Sequence, residues 1–455
     1  NLPGKKITIN MAPADLRKEG SAYDLTLAIG ILAASGQIKP EEVGKYIIMG
    51  EMSLDGGLQP IRGALSIAIK AKEEGFTGII LPIQNVKEAA IVDGLEVYGV
   101  ENVLQVINFF EGKESLIPTV IDTKEEFSKN LEFPEFDFAD VKGQESIKRC
   151  MEIAAAGGHN IILIGPPGAG KTMLAKRLPS ILPPMSMQEA LETTKIHSVT
   201  GRIKDAGLLT QRPFRAPHHT ASSVSLVGGG SYPQPGEISL AHNGVLFLDE
   251  LPEFKREVLE VMRQPLEDRE VTIARAKFTI TYPSSFMLVA SMNPSPSGFF
   301  IDSKNSNGAS QMEMQRYLSK ISGPLLDRID IHIEVTPVPF EKLSETRKAE
   351  SSVEIRKRVT KARDIQTKRF ENYNHIHYNA QMSSKLIREY CDLDEVSLQL
   401  LKTAMERLNL SARAYDRILK VSRTIADLEN SENVHSHHIA EAIQYRSLDR
   451  EGWLG

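Results

Sequence analysis

Residues 165–172, with the sequence GPPGAGKT, have the types and spacing of a phosphate-binding loop, because they fit the pattern G-x-x-x-x-G-K-[ST] at each specified position. In such a loop the glycines allow backbone N–H groups to surround a phosphate, the lysine adds a positive charge, and the hydroxyl can reach a Mg²⁺ ion. We therefore expect a nucleoside triphosphate to bind to Gly165, Pro166, Pro167, Gly168, Ala169, Gly170, Lys171 and Thr172.

Two acidic residues lie at the end of a later apolar run, residues 244–250. A carboxylate pair in this place, after a phosphate-binding loop, is typical of the Mg²⁺ ligand and the water-activating base of an ATPase. We expect Asp249 to bind Mg²⁺ together with Thr172, and Glu250 to activate the attacking water. The pair also disfavours the alternative that residues 165–172 form an ordinary glycine-rich turn.

A third apolar run, residues 286–293, ends in Asn293, where such an ATPase places a polar side chain that orients the attacking water. Because Asn-Pro is itself a turn signal, the alternative is that Asn293 only opens the proline-rich turn after it. Its place at a strand end, third in order after Lys171 and Asp249, favours the water-orienting role.

Two further arginines are candidates for stabilising the charge of a transferred phosphate. Arg328 lies between Asp327 and Asp330 and has the form of an arginine finger, which one subunit supplies to the γ-phosphate of its neighbour. The alternative for Arg328 is an ion pair with one of these two aspartates. Arg413, at the start of a helical segment, is placed to contact the phosphates from a lid. Arg417 competes for that role, and an ordinary solvated position is the alternative for Arg413.

The elements around these residues predict an α/β fold. Residues 160–164 are strand-like and residues 173–178 have helical spacing, so a strand, the loop and a helix follow in the order that a P-loop requires. The predicted divisions are residues 1–112 (an α+β domain), 113–139 (an acidic linker with prolines), 140–335 (the P-loop domain) and 336–455 (a helical lid). The helices predicted in the lid are near residues 350–370, 383–391, 395–409, 412–429 and 436–446. A P-loop domain with such a lid is the AAA+ arrangement.

The composition places few limits on function. A formal charge of −5 gives no whole-chain electrostatic signal for nucleic acid, so any such binding needs local basic surface. Cys150 and Cys391 are the two cysteines and indicate a reducing compartment. No apolar stretch reaches the roughly 18 residues that span a bilayer, so we expect a cytoplasmic protein that binds no membrane. A strand expected at residues 6–10 follows Asn1 almost at once, so we expect the first domain to be incomplete at its N-terminus.

With these motifs assembled, the chain resembles the magnesium-chelatase-like AAA+ ATPases of the ComM (YifB) type, a bacterial family linked to DNA processing in natural transformation. The resemblance extends over almost the whole chain, and its specific segments are residues 10–16, 24–32, 157–160, 212–220, 228–251, 322–330 and 410–428. It implies a hexameric ring that uses ATP and Mg²⁺ to drive branch migration of recombination intermediates by translocating on DNA. It also implies the roles given above for Lys171, Thr172, Asp249, Glu250, Asn293, Arg328 and Arg413.

Residues 1–112 look like the Lon protease fold, but with departures at the catalytic positions. The nucleophile of that family lies in a Lys-Asp-Gly-Pro-Ser-Ala-Gly segment, and Ala22 occupies the position of its serine in this chain. Ser21 is one residue away, yet the lysine base of the family is also missing. The nearest basic residue, Arg62, stays protonated and cannot act as that base. We expect a degenerate Lon-like domain without peptidase activity.

The loop after Asn293 differs from that of many relatives, which carry paired cysteines there. This chain has Ser295 and Ser297 at those positions, and serine is a poor zinc ligand. Its two cysteines lie far away in sequence. We therefore expect no structural zinc.

Two basic segments are candidates for sequence-independent contact with single-stranded or branched DNA. Residues 270–282 alternate like a β-hairpin, with Arg275 and Lys277 near its turn, and in related rings a hairpin at this point enters the central pore. A solvated hairpin tip is the alternative. A second segment, from about residue 208 to 239, carries Arg212, Arg215 and the glycine run 228–230, and it resembles the other pore-facing element of the family.

His218 and His219 lie within that second segment. Adjacent residues on a strand point to opposite faces, so the two histidines would form a poor metal pair. We expect them to make local hydrogen bonds instead.

Two other functions stay open on the sequence alone. The ATPase subunit of a magnesium chelatase, which serves to insert Mg²⁺ into a porphyrin, shares the AAA+ module, but the Lon-like N-terminal part argues against it. The other is an ATP-dependent remodeller of protein substrates. Aromatic pore residues that grip a peptide would favour a remodeller, and the basic hairpin tip weakly opposes it.

Overall fold

The computed structural model divides the chain into two compact units that are interleaved along the sequence. One unit comprises Asn1–Leu131 and Ser186–Thr210, and the other comprises Glu132–Met185 and Gln211–Gly455. The structure describes residues 6–10, 21–123, 125, 127, 136–201, 203, 207–230, 232–275, 279–297, 312–313, 316–339, 349–373 and 375–446.

The elements are numbered here in chain order. The strands are β1 (Tyr46–Ile48), β2 (Glu51–Met52), β3 (Leu58–Gln59), β4 (Gly78–Pro82), β5 (Glu96–Val100), β6 (Ile161–Ile164), β7 (Phe214–Arg215), β8 (Gly228–Gly229), β9 (Gln234–Pro235), β10 (Val245–Leu248), β11 (Glu270–Ala274), β12 (Thr279–Pro283), β13 (Met287–Met292) and β14 (Ile331–Glu334). The α-helices are α1 (Asp24–Ala34), α2 (Pro40–Val43), α3 (Ala64–Glu73), α4 (Val86–Ala89), α5 (Val103–Phe110), α6 (Glu145–Gly157), α7 (Lys171–Arg177), α8 (Met187–Val199), α9 (Ser223–Val227), α10 (Glu237–Leu240), α11 (Arg256–Glu260), α12 (Arg263–Asp268), α13 (Gly323–Leu326), α14 (Ser352–Arg369), α15 (Ser384–Tyr390), α16 (Glu395–Arg407), α17 (Ala412–Leu428) and α18 (Ser436–Gln444).

The first unit is built on a three-stranded parallel sheet in the order β1-β4-β5. Successive side chains of a strand point to opposite faces, so Ile79 and Leu81 of β4 enter one hydrophobic cluster while Ile80 enters another. The prediction of a strand at residues 6–10 is wrong. These residues have no regular secondary structure, since none of the described strands pairs with them.

Helix α8 folds with the first unit, although it lies inside the range 140–335 that the sequence assigned to the P-loop domain. It packs on α3, and the Gly63 N–H donates to the Ser198 carbonyl at 3.0 Å. Thr193 and Thr194 on its inner face are buried, and their hydroxyls donate to carbonyls one turn earlier at 2.7 and 2.6 Å. Because these polar side chains are satisfied within the helix, they can be buried without the apolar pattern that predicts a packed face.

The second unit is built on a five-stranded sheet in the order β14-β6-β13-β10-β7, with parallel pairing throughout. Both faces of this sheet are covered. Ile161 and Leu163 enter one core cluster, and Ile162 and Ile164 enter the other. Burial of each such side chain contributes roughly 1.5–3 kcal/mol. The α/β class with a parallel sheet is confirmed, and the carboxyl ends of β6, β13 and β10 lie side by side.

Helices α14 to α18 add a helical layer to one of these core clusters. Their inward residues include Ile355 and Val359 of α14 and Ile418 and Ile425 of α17. The bounds differ from the predicted helices by at most two residues, because the start signals are local. At α17, for example, the Ser411 hydroxyl accepts the Ala414 N–H at 3.2 Å.

Two simple properties complete the description. Among the described helices, none combines the length and apolar character needed to cross a membrane. Cys150 and Cys391 are both buried free thiols. Burial raises the pKa of each thiol, to about 12 for Cys391, which makes both poor nucleophiles.

Candidate nucleotide-binding site

The loop 165–170 leaves the end of β6 and leads into α7, which begins at Lys171. Gly168 and Gly170 have φ angles of +78° and +91°, in the left-handed region that side chains disfavour. A Cβ at Gly168 would meet nothing within 4 Å, whereas one at Gly165 would lie 2.2 Å from the Val335 carbonyl oxygen. The loop is therefore packed against β14 at its start and open at its turn, as a phosphate cradle requires.

The Lys171 ammonium lies within the loop. It donates to the carbonyls of Gly165 and Pro166 at 2.6 and 3.0 Å and to Asn293 Oδ1 at 3.1 Å. Burial lowers the pKa of Lys171, and the carboxylates of Asp249 and Glu250 partly oppose this effect. Because an ammonium can only donate, the Asn293 oxygen faces Lys171 and its amide nitrogen is left to donate elsewhere.

The Asp249 carboxylate lies against the start of α7. Thr172 Oγ1 donates to Asp249 Oδ2 at 2.8 Å, and the Ser291 hydroxyl donates to Asp249 Oδ1. A hydroxyl and a carboxylate in contact are the oxygen ligands that Mg²⁺ prefers, so these residues fit that ion. Ser291 is a contributor that the sequence analysis missed, because nothing in a buried strand marks one serine as a partner of Asp249.

Glu250 follows Asp249 in a strained turn, with a φ angle of +55° and a side chain that is 56% exposed. Its N–H donates to Asp249 Oδ1 at 3.1 Å, and His219 Nδ1 lies 3.4 Å from Glu250 Oε2. A non-glycine residue in this conformation needs support from its surroundings and is often functional.

His219 is a second residue of the site that sequence reasoning missed. The expectation that His218 and His219 point to opposite faces is wrong, because their rings lie side by side at a tilt of 35° with centroids 4.1 Å apart. The residues lie beyond the end of β7, where the alternation of a strand no longer applies. The expected local hydrogen bonding holds for His218, whose Nδ1 contacts Thr220 Oγ1 at 2.9 Å.

Comparison with known proteins decides the family. The family model described as "Magnesium chelatase, subunit ChlI" matches residues 137–343, its C-terminal counterpart matches residues 349–446, and "Subunit ChlI of Mg-chelatase" matches residues 1–85. Competence protein ComM of Haemophilus influenzae is 45% identical over 98% of this chain and 87% of its own length. The uncharacterized protein YifB of Escherichia coli is 45% identical over 98% of this chain and 86% of its own.

The chain belongs to the ComM/YifB family of magnesium-chelatase-like proteins. The resemblance seen in the motifs is therefore confirmed. Lon protease 2 of Bacillus subtilis is also similar, at 28% identity over 31% of this chain and 27% of that protein. The Lon-like fold of residues 1–112 and the absence of peptidase activity stay predictions.

Arg328 of this ComM/YifB-type chain is not brought to Lys171 within the described contacts. Its guanidinium pairs with Glu267 and donates to the Pro324 carbonyl, and its side chain is 12% exposed. The alternative expected from the sequence, an ion pair of Arg328 with Asp327 or Asp330, is therefore wrong. Asp327 instead pairs with Arg413, and Asp330 pairs with Arg417.

Arg413 and Arg417 differ sharply in their surroundings. The Arg413 side chain is 70% exposed, whereas Arg417 donates at 2.7 Å to Asp330, which is 1% exposed. His159 Nδ1 also contacts Asp330, at 3.2 Å. Burial alone would raise the pKa of Asp330, but Arg417 and the His159 hydrogen bond outweigh it and hold the pKa well below its usual range. Arg417 is thus part of the buried framework, and Arg413 is the arginine still able to reach a ligand.

We expect Arg417→Ala and Arg413→Ala to fail in opposite ways. Arg417→Ala leaves Asp330 as a buried charge with one partner fewer, which should cost about 3–5 kcal/mol of stability and lower Tm. Arg413→Ala should keep the Tm of the wild type and lower kcat for ATP. Thermal unfolding and ATPase assays of the two variants check this. If Arg417→Ala lowered kcat without lowering Tm, Arg417 would be the lid arginine that contacts ATP, and Arg413 would not.

The ion pair between Asp330 and Arg417 should also make the stability of the protein depend on pH. A carboxyl whose pKa is depressed on folding stabilises the protein above its unfolded-state pKa, near 3.9 for Asp. The contribution of Asp330 is therefore present at neutral pH and is lost as the pH falls from about 4 toward the depressed value. Urea unfolding across this range should show a smaller acid-dependent loss in Asp330→Asn than in the wild type.

The described arginine candidates for DNA contact differ in their surroundings. Arg212 donates to the carbonyls of Pro183 and Asn243 at 2.6 and 2.8 Å, and Arg215 makes a two-pronged pair with Glu237 at 2.6 and 2.8 Å. These contacts engage both guanidinium groups within the chain and argue against DNA binding by them. Arg215 lies on β7, the edge strand of the sheet, rather than on a projecting loop.

The predicted hairpin is present as β11 and β12, with register Ile273 opposite Ile280. Arg275 at its turn is exposed and contacts the Gly230 carbonyl at 3.4 Å, and Lys277 lies outside the described residues. The Tyr282 hydroxyl donates to the Pro233 carbonyl at 2.8 Å. The two segments predicted to face DNA are therefore neighbours, since Gly230 and Pro233 belong to the β8–β9 turn.

The loop after Asn293 is described only at its start. The hydroxyls of Ser295 and Ser297 are 2.8 Å apart, and residues 298–311 lie outside the described residues. The absence of zinc there stays a prediction.

A histidine cluster elsewhere, Glu429 with His437 and His438, has ligand atoms within 4.8 Å of one another. His438 Nδ1 accepts the His435 backbone N–H at 2.9 Å, so its Nε2 carries the proton that faces Glu429 at 3.1 Å. A metal ligand nitrogen must be unprotonated. The cluster is therefore explained by capping of α18 rather than by a metal ion.

Proposed function

We propose that the chain is an ATP-driven DNA motor that works in the cytoplasm as a hexameric ring and promotes branch migration of recombination intermediates. The observation that carries the ATPase part is a pair of contacts at the start of α7: Lys171 donates to Asn293 and Thr172 donates to Asp249, whose carboxylate also accepts the Glu250 N–H. The DNA part is supported by the similarity to competence protein ComM and by the exposed Arg275.

The residues divide the work of hydrolysis in the following way. Lys171 and the N–H groups of the loop bind the β- and γ-phosphates of ATP. Thr172 and Asp249 would hold Mg²⁺, which supplies charge neutralisation at those phosphates. The amide nitrogen of Asn293 orients a water molecule, and the Glu250 carboxylate accepts its proton as the water oxygen bonds to the γ-phosphorus. The bond from that phosphorus to the β–γ bridging oxygen breaks, and ADP leaves.

Arg328 completes the site from the neighbouring subunit in this proposal, and Arg413 contacts the phosphates from the lid. Arg413 pairs with Asp327, the residue before Arg328, so the two cations lie near each other although they belong to different elements. On ring assembly the Arg328 guanidinium exchanges Glu267 for the γ-phosphate of the next chain. Glu267 is 61% exposed, so water can replace Arg328 around it at small cost.

The experiment that tests the function measures ATP-dependent branch migration of synthetic four-way and three-way junctions by the purified protein. The wild type should move the branch point only with ATP and Mg²⁺, and Glu250→Gln should bind the junction without moving it. An ATPase that neither responds to DNA nor moves strands would contradict the DNA part and leave the ATPase part intact.

Arg275 gives a sharper test of the DNA surface. Arg275→Ala should weaken binding to all DNA sequences alike and reduce the slope of log K against log salt by about 1, because one phosphate contact is lost. Arg407→Ala, which removes an exposed arginine of α16, is the charge-matched control and should leave the slope unchanged. Equal slopes for Arg275→Ala and the wild type would show that the hairpin tip is only solvated.

A magnesium chelatase subunit is the second candidate, favoured by the descriptions of the three matching family models. ATP-dependent insertion of Mg²⁺ into a porphyrin in the presence of the other chelatase subunits would support it. The near full-length similarity to a competence protein makes it the weaker proposal.

A further inference from the structure

The sheet alone does not fix the distance between the Asn293 and Glu250 side chains. Both residues follow the ends of neighbouring strands, β13 and β10, whose paired residues stop at Ala290 opposite Leu248. Beyond that point no ladder joins the two turns. A cavity of about 390 Å³ opens between them, and Glu250, Glu253, Asn293, Tyr317 and Lys320 are among its lining residues.

Tyr317 lines the cavity next to Asn293. Its ring is 7% exposed, and its hydroxyl donates to the Asn293 backbone carbonyl at 3.2 Å. Burial raises the pKa of Tyr317 to about 12, and the Glu253 carboxylate adds to this effect. The phenol is therefore protonated at neutral pH and available as a donor to that carbonyl.

Lys320, three residues after Tyr317, lines the cavity near Glu250. Its ammonium pairs with Glu253 at 3.3 Å and lies 5.8 Å from the centre of the Tyr317 ring. The Glu253 N–H in turn donates to the Glu250 carbonyl at 2.8 Å. Residues 316–320 thus contact the turn after each of the two strands.

We infer that Tyr317 is a positioning residue, which acts through its hydrogen bond to the Asn293 carbonyl to place the Asn293 amide opposite the Glu250 carboxylate. The inference deepens the proposed ATPase function and rests on it. The hydrogen bond from Tyr317 fixes the backbone of Asn293. Lys171 contacts the side-chain oxygen of Asn293, so the side-chain nitrogen is free to face the water between Asn293 and Glu250. A small displacement of such a group lowers the rate strongly, because the water must meet the amide and the carboxylate together.

The test is a double-mutant cycle of Tyr317→Phe and Asn293→Ala, measured by release of radiolabelled phosphate from ATP without DNA. Tyr317→Phe keeps the ring and removes only the hydroxyl. It should lower kcat about 10-fold, because the displaced Asn293 amide orients the water less well in the transition state, and leave KM for ATP within about twofold. In the Asn293→Ala background the same change should lower kcat less than about twofold, because the group that Tyr317 positions is gone.

Tyr445→Phe is the matched control. Tyr445 is also buried and donates its hydroxyl to a carboxylate, Glu441, at 2.9 Å, in the helical layer. It should lower Tm about as much as Tyr317→Phe does and keep the kcat of the wild type. The inference would be overturned if Tyr317→Phe lowered kcat equally in both backgrounds. It would also be overturned if Tyr317→Phe lowered Tm but left kcat unchanged. Because DNA is absent, failure of branch migration leaves this result intact, whereas a wild type without ATP turnover contradicts both proposals.

Discussion

Glu250→Gln should lower kcat for ATP hydrolysis by about 10²–10⁴-fold, the range for loss of a general base. Glutamine has nearly the shape of glutamate but cannot accept a proton from water. It should keep the turn at φ +55°, because the two side chains branch in the same way beyond Cβ. Affinity for ATP should stay within about threefold, since Lys171 and the loop hold the phosphates. Stopped-flow binding of a fluorescent ATP analogue and single-turnover hydrolysis measure the two quantities separately.

The control for this variant is Glu257→Gln, which removes one exposed carboxylate of α11 and should leave kcat unchanged. A Glu250→Gln protein with the kcat of the wild type would place the base elsewhere. A protein that fails to bind ATP at all would show instead that the neutral side chain had disturbed Asp249, to which the Glu250 N–H donates at 3.1 Å.

Arg328→Ala should lower kcat by about 10³–10⁵-fold if the guanidinium acts as a finger on the next subunit. Lys171→Ala should be inactive for a different reason, loss of phosphate binding. Mixing the two inactive proteins should restore activity, because some interfaces then join an intact Lys171 to an intact Arg328. With random assembly in equal amounts, roughly a quarter of the sites are complete.

Two controls separate this outcome from a structural role of Arg328. Mixing Lys171→Ala with the double variant Lys171→Ala/Arg328→Ala should restore nothing, since no chain then supplies Lys171. Glu267→Gln removes the partner of Arg328 within the chain and should leave kcat near that of the wild type. Full activity of Arg328→Ala alone, or no recovery on mixing, would leave Arg328 as a partner of Glu267 and nothing more.

Signals that depend on neighbouring residues were strong enough to be interpreted without the structure. The loop 165–172, the apolar strands before Asp249 and Asn293, and the helix start at Ser411 are all encoded within a few positions of one another. Their physical causes are local as well, namely glycine at positive φ, strand burial on both faces and a hydroxyl cap. The family followed from these segments.

The partners of charged and polar side chains could not be predicted in the same way. Several acidic residues near or far along the sequence could pair with each of four arginines, namely Arg212, Arg215, Arg328 and Arg417. Arg417 is 87 positions from Asp330, and Arg328 is 61 positions from Glu267. Ser291 and Tyr317 carried no signal at all, since their roles arise only where strand ends and turns meet in space.

The family, the nucleotide loop and the five helices of the lid could be predicted from the sequence, because they follow from short-range spacing and from patterns of apolar burial. The tertiary structure alone decided that α8 packs with the first unit, that Arg212 and Arg215 are engaged within the chain, and that Tyr317 contacts Asn293. The physical reason is that a hydrogen bond or ion pair depends on distances of about 3 Å between groups that the fold, not the spacing along the chain, brings together.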